Sequence, residues 1–224
     1  MRGNPVLLFP IVWPILGGLL SFAAGRVGKR FRDYVADTLT PVMKDGRWAY
    51  VDTQGKAHTA WEFDQVSLFL YDDSLAIVGK EGRYGMIDRH GKTVVPLEYT
   101  RMDGFMRPGN GYNYLTVACK AGKCGYLDEK GKTRIALEYD DAGGFGADVA
   151  PVKKGDKWGY INPQGKTVQP FEYEAAEAFT HNWMGSRERE CVEAQKNGKR
   201  VAIDPQGKTL PENTRCELLP PPNI

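Results

Sequence analysis

The sequence predicts an all-β protein, an array of five three-stranded β-hairpin repeats set behind one N-terminal transmembrane helix. Three observations lead there. From residue 38 onward the chain aligns with itself. Its 26 glycines and 14 prolines recur between short apolar runs and do not cluster in a linker, which is the punctuation of many turns. Finally, Pro5 to Ala24 (PVLLFPIVWPILGGLLSFAA) runs without a charge for about 20 residues, the length that spans a bilayer.

The copies read KDGRWAYVDTQGKAHTAWEF from Lys44, KEGRYGMIDRHGKTVVPLEY from Lys80, KAGKCGYLDEKGKTRIALEY from Lys120, KGDKWGYINPQGKTVQPFEY from Lys154 and a shortened KNGKRVAIDPQGKTLPEN from Lys196. One slot holds Trp48, Tyr84, Cys124, Trp158 and Arg200, spaced by 36, 40, 34 and 42 residues, which is a supersecondary period. Each copy opens with a strand such as LAIVGK or VAPVKK. It then turns through Asp45-Gly46, Glu81-Gly82, Ala121-Gly122, Gly155-Asp156 or Asn197-Gly198. Two-residue hairpin turns of type I′ or II′ need positive φ at one or both central residues, which glycine supplies. That register sets Lys153 opposite Trp158 and Lys154 opposite Lys157.

The returning strand alternates Trp158 and Tyr160 with Gly159 and Ile161, apolar on both faces, as expected of a strand between two packed layers. Gly85 and Gly125 repeat the position of Gly159. A second turn follows, from Asp52, Asp88, Asp128, Asn162 or Asp204 to a glycine three residues on. The third strand, TVVPLEY or TVQPFEY, carries an internal proline that removes a ladder donor and marks an edge or a bulge. Stacked units of this kind form an open β-solenoid-like arc or, alternatively, a propeller-like ring. The unequal spacings and the decayed last copy favour the arc.

The run KWGYINPQGKTVQPFEY at 157–173 resembles the consensus of the WG-repeat family, and the likeness extends from about 38 to 213. The pattern is weakest in the last copy, where Arg200 and Val201 replace the Trp-Gly pair and a terminal cap is expected. The resemblance implies a bacterial all-β repeat protein with no enzymatic activity in the repeat itself, with Trp48, Tyr84, Trp158, Gly85, Gly125 and Gly159 as structural positions.

The domain boundaries that follow are a membrane anchor with its basic flank at 1–36, the repeat domain at 37–213 and a Pro-rich tail at 214–224. Arg26, Lys29, Arg30 and Arg32 follow the apolar run at once, as at the end of an anchor, although Ser21 and Ala23 also suit a cleavable signal. The stretch FPIVWPILGGLLSFAAGRVGKRFRDY is similar to the first helix of proton-translocating subunits of the NADH dehydrogenase and hydrogenase type. Those subunits continue through many apolar helices and this chain does not, so the likeness implies at most an accessory subunit of such a complex.

The sequence holds no catalytic constellation. Gly-Lys-Thr recurs at 91–93, 131–133, 165–167 and 207–209, with an upstream glycine in three of the four, but the spacing from that glycine exceeds that of a phosphate loop by one and a strand follows instead of a helix. Asp52, Asp88, Asp128 and Asp204 lie in separate repeats without Ca²⁺-loop companions, which leaves turn capping as their role. Glu62, Glu98, Glu138 and Glu172 have no acid partner and are expected to face solvent or a nearby lysine. His58, His90 and His181 are scattered, so no metal and no cofactor is expected. With 30 basic against 28 acidic residues, nucleic acid is excluded as a partner.

The hairpin register places Cys119 directly opposite Cys124, within disulfide reach. The competing account is that Cys124 is a small apolar filler of the aromatic slot. Cys191 and Cys216 can make a second bond, although no register joins them. A disulfide favours an oxidising compartment, whereas the basic flank places the repeats on the cytoplasmic side of a single-pass anchor. The membrane side stays open. Trp61, Phe69, Tyr71, Tyr112, Tyr114 and Trp183 fall in strands or connections, and the irregular segment 107–114 (RPGNGYNY) is the best candidate for a binding loop. The expected function is a non-catalytic binding or scaffold module, held at the membrane, that engages a protein, a peptide or a cell-wall glycan through the rim of the array.

Overall fold

The computed structural model describes residues 39–69, 75–108, 114–179 and 191–216. Seventeen strands and no helix occur among them. The anchor at 5–24, its basic flank and the tail beyond 216 lie outside the described residues. Among the described residues no helix is long and apolar enough to cross a membrane. The chain divides into two compact units, Met1–Glu81 with Met86–Val94, and Gly82–Gly85 with Val95–Ile224.

The first unit contains β1 (Thr40–Lys44), β2 (Arg47–Val51), β3 (Gln65–Val66) and β4 (Ala76–Lys80). β1 and β2 form a hairpin with Met43 opposite Trp48, and β3 pairs with β4 through Gln65 to Gly79 and Val66 to Val78. The buried Tyr50 packs on Phe69 with ring centroids 4.9 Å apart, and its hydroxyl donates to the Ser67 carbonyl at 2.6 Å. Strands β5 (Arg83–Ile87) and β6 (Thr93–Tyr99) have residues in both units.

The second unit holds three sheets. The first is ordered β10 (Thr133–Tyr139), β9 (Lys123–Asp128), β8 (Leu115–Lys120) and β7 (Arg101–Met102). The next runs β11 (Asp141–Ala142), β12 (Ala150–Lys154), β13 (Lys157–Ile161) and β14 (Thr167–Tyr173). The last runs β15 (Ala175–Ala176), β16 (Val192–Lys196) and β17 (Lys199–Ile203). Each sheet is open and none closes into a barrel. Lys153 faces Trp158 and Lys154 faces Lys157, the register the two-residue turn imposes.

The three-stranded repeat is corrected in two respects. After Tyr139 the chain passes Asp140 and enters the next sheet as β11, which pairs with β12 through Asp141 to Lys153 and Ala142 to Val152. β7 and β15 pair with β8 and β16 in the same manner, so each copy hands a two-residue fourth strand to its successor. The handover follows from the bulged third strand, which turns the chain out of its own sheet after seven residues. Second, the first and last copies have no third strand among the described residues. Isolated bridges stand there instead, Trp48 to Phe63, Val51 to Ala57 and Ile203 to Thr209.

Turn chemistry is uniform across the copies. Asp45, Glu81, Ala121 and Asn197 have φ of 51 to 52° and precede a positive-φ glycine, the type I′ pattern, while the fourth copy puts Gly155 first at 58°. In the second turn one side-chain oxygen of Asp128 accepts the N–H groups of Lys130 at 3.0 Å and Lys132 at 2.9 Å. Gly131 closes that turn at φ 76°, donating to the Asp128 carbonyl. Asp52, Asp88, Asn162 and Asp204 hold the same pair of N–H groups in their own copies.

Both faces of the middle strands are buried, each by a different neighbour. Leu115, Val117, Tyr126 and Ile135 of one sheet pack with Ala150, Val152 and Ile161 of the next. Tyr160 and Tyr173, from the other face of that second sheet, pack with Val192, Ala194 and Ile203 of the third. Each side chain the size of Val or Ile that is fully buried in such a layer contributes about 1.5 to 3 kcal/mol.

Candidate functional site

The slot glycines are fixed by a close backbone approach. A Cβ built on Gly125 would lie 2.5 Å from the Ala136 carbonyl oxygen and 2.6 Å from that of Ile135. On Gly85 it would meet the Val95 oxygen at 2.5 Å, and on Gly159 the Gln169 oxygen at 2.8 Å. The cause is a bulge: Ile135 pairs with Tyr126, but the next partnered residues are Tyr139 and Cys124, so residues 136–138 arch over Gly125. Pro96 and Pro170 sit at this arch, where no ladder donor is needed. Of the slot residues, Trp48, Tyr84 and Trp158 are half-buried, Cys124 is buried and Arg200 is exposed.

The recurrent acidic residues join one copy to the next. Glu62, Glu98, Glu138 and Glu172 accept from Lys80 at 2.8 Å, Lys120 at 2.6 Å, Lys154 at 2.9 Å and Lys196 at 2.5 Å, each the last residue of the following copy's first strand. The Glu138 carboxylate raises the Lys154 pKa, and that ammonium also lies 4.9 Å from the Tyr139 ring centroid. Asp140 takes both Lys123 of its own copy, at 2.5 Å, and the Gly155 N–H of the next turn, at 2.7 Å. The Lys123 hydrogen bond holds its carboxyl below the usual range. Glu174 likewise bridges Lys157 and the Gly198 N–H, and Asp64 bridges Arg47 and the Glu81 N–H. Exposed pairs of this kind are screened by solvent, so they set register more than stability.

Cys119 and Cys124 stand opposite one another in the β8–β9 hairpin, with their sulfurs joined at 2.09 Å, and Cys191 is joined to Cys216 at 2.07 Å. His58 Nε2–H donates to Asp52 Oδ2 at 3.0 Å, a contact that lowers the Asp52 pKa ahead of the Lys56 N–H. Among the described residues no three His, Cys, Asp or Glu side chains converge as a metal site. His181, Tyr71, Tyr112, Trp183 and the 109–113 part of the candidate loop lie outside the described residues. Trp61 is partly exposed with Lys44 Nζ 5.9 Å from its ring, whereas Phe69 packs on Tyr50.

The described concavity is a shallow cleft of 370 Å³ on the last copy, lined by Ala175, Glu177, Glu193, Gln195, Gly198 and Arg200 among others. Arg200 donates to Glu193 at 3.0 Å across it. This copy therefore presents a polar residue, Arg200, where the preceding copy has Trp158.

Three successive segments, 84–124, 125–158 and 158–185, match the family model described as WG containing repeat. Residues 84–185 are WG-containing repeats. No curated protein matches the chain. The matched residues take in the copies that carry a slot glycine and leave out those with Ala49 and Val201 in its place.

Sequence reasoning missed two features of these WG repeats that were open to it. One is the handed-over strand, whose signal is a glutamate and an aromatic residue followed by Val66, Met102, Ala142 or Ala176 and, three residues later, Phe69, Phe105, Phe145 or Phe179. The other is the tyrosine anchor. Tyr126 and Tyr160 donate to the carbonyls of Gly143 at 2.7 Å and Glu177 at 3.0 Å, seventeen residues on, as Tyr50 does to Ser67. Burial pushes all three phenols above their usual pKa.

Proposed function

We propose that this chain is a non-catalytic binding module that engages a protein, a peptide or a cell-wall glycan through the variable connections of an open β-repeat array, held at the membrane by residues 5–24. The observation that carries the reading is where length varies. Hairpin turns are two residues in every copy, and the second turn keeps one spacing. The connections 67–75, 103–114, 143–149 and 177–191, between a handed-over strand and the next hairpin, have nine, twelve, seven and fifteen residues. A repeat array with an invariant frame and one variable connection per copy concentrates recognition there. The regular charged positions support the non-catalytic part, because each is engaged in turn or inter-copy bonding.

The test places a photo-crosslinking residue at Arg107, in the 103–114 connection, and separately at Asp45, in a hairpin turn, in cells expressing the full chain. The reading expects a discrete adduct from position 107 and none from 45, lost when 103–114 is shortened to seven residues. Equal labelling at both positions, or none at 107, contradicts it. Membrane attachment rests on the 5–24 sequence alone and is tested by carbonate extraction, with release into the soluble fraction as the contrary result. Protease accessibility on intact cells then decides the membrane side.

A further inference from the structure

The two cysteine pairs occupy different mechanical positions. Cys119 and Cys124 are directly opposed on neighbouring strands, are 6% and 5% exposed, and sit in a layer with Tyr126, Ile135, Val152 and Ile161. Cys191 is fully buried immediately before β16, but its partner Cys216 is only half-buried and lies in the tail past the last strand. That tail follows a copy without a third strand. Its backbone bonds among the described residues, beyond the Ile203 to Thr209 bridge, are Leu210 to Ala202 at 2.9 Å and the local turn from Thr214 to Pro211. Val201 stands where the inner copies have glycine, the position at which a Cβ would meet the bulged strand in those copies. The Cys191–Cys216 bond thus ties down a segment that a strand ladder secures in the inner copies.

We propose that segment 209–216 with the Cys191–Cys216 bond is a thiol-responsive clasp: dithiol reduction opens it and loosens β15–β17, while Cys119–Cys124 stays closed. Access decides the order, since thiol–disulfide exchange requires a thiolate to reach a sulfur. A small dithiol attacks Sγ of Cys216, the bond to Cys191 breaks and a mixed disulfide forms. The second thiol of the reductant then closes its own disulfide and leaves. The protein gains two electrons and two protons as two thiols. Released, the tail no longer supports a copy whose sheet has three strands where the inner copies have four, which eases local opening.

The test titrates the full chain, purified in air, with dithiothreitol, quenches with iodoacetamide and maps the alkylated cysteines by mass spectrometry, alongside amide hydrogen exchange. The expected result is alkylation of Cys191 and Cys216 at a dithiothreitol concentration at least tenfold below that for Cys119 and Cys124. Exchange in 192–203 should accelerate at least tenfold while 115–161 is unchanged. The proposal is overturned if the pairs open together or in the reverse order, if 192–203 keeps its exchange rates after reduction, or if Cys191 and Cys216 are free before reductant is added. The Cys119→Ser/Cys124→Ser variant should leave exchange in 192–203 unaltered, and faster exchange there would also overturn it.

Discussion

The inner copies and the end copies share their hairpin turns and their Asp or Asn turns, yet differ at one residue and one strand. Where Gly85, Gly125 and Gly159 follow the slot residue, the seven-residue strands β6, β10 and β14 form. Where Ala49 and Val201 stand instead, the corresponding segments make only isolated bridges. The glycine is therefore a packing requirement of the third strand: its missing side chain is the space that the arching carbonyls of residues such as Ile135 and Ala136 occupy. The conformation at these glycines is ordinary for a strand, since none of the three is among the positive-φ residues. The Trp-Gly signature thus reports a neighbour's path and says nothing of a chemical site.

Substitutions on either side of this contrast can break it. Gly125→Ala puts a methyl within 2.5 Å of a carbonyl oxygen that can move only with the backbone, and should destabilise by about 3 kcal/mol in urea unfolding. A loss under about 1 kcal/mol would mean that the bulge adapts freely. Asp128→Ala leaves two turn N–H groups without the buried carboxylate that accepts from them and should cost about 2 kcal/mol. Because the same turn occurs in the last copy, Asp204→Ala should show a loss of the same sign, smaller for its greater exposure.

The reciprocal change, Ala49→Gly, creates a slot glycine with no strand above it. It should destabilise by about 1 kcal/mol or more, through chain entropy and through loss of the buried Ala49 methyl, and a gain in stability would count against the packing account. The smallest effect is that of pH on the tyrosine anchors. Burial holds Tyr126 protonated in the folded chain well past its ordinary value of 10.0, whereas the unfolded chain begins to release that proton there. The unfolded state then binds fewer protons, so stability is level below pH 10 and falls as pH rises above it. Spectrophotometric titration should find the ionisation of Tyr50, Tyr126 and Tyr160 delayed to the alkaline unfolding transition, and free titration at the ordinary value would contradict it.

Much of this fold was legible in the sequence because its signals are local. Turn glycines, Asp-x-x-Gly spacing and two-faced apolar strands act within a few residues, and they place Lys153 opposite Trp158 and Cys119 opposite Cys124 without further information. The handed-over strands were not legible from strand propensity, because two residues such as Asp141–Ala142 carry no period. Their pairing is decided by a neighbour 10 to 20 residues away, through backbone bonds such as Asp140 N–H to the Lys153 carbonyl. Likewise the proline of the third strand signalled an edge or a bulge, but only the register shift between Ile135 and Tyr139 shows what the bulge rests on. For the recurrent glutamates the sequence leaves solvent or a nearby lysine as the neighbour, and the structure places that lysine one copy away.

The packing claim is tested most directly by residue-resolved amide hydrogen exchange on Gly125→Ala. The account expects residues 133–139 to lose their protection while the β8–β9 hairpin, tied by its own turn and cross-strand ladder, keeps it. Retained protection across 133–139, or uniform loss over the hairpin and the third strand alike, would contradict it.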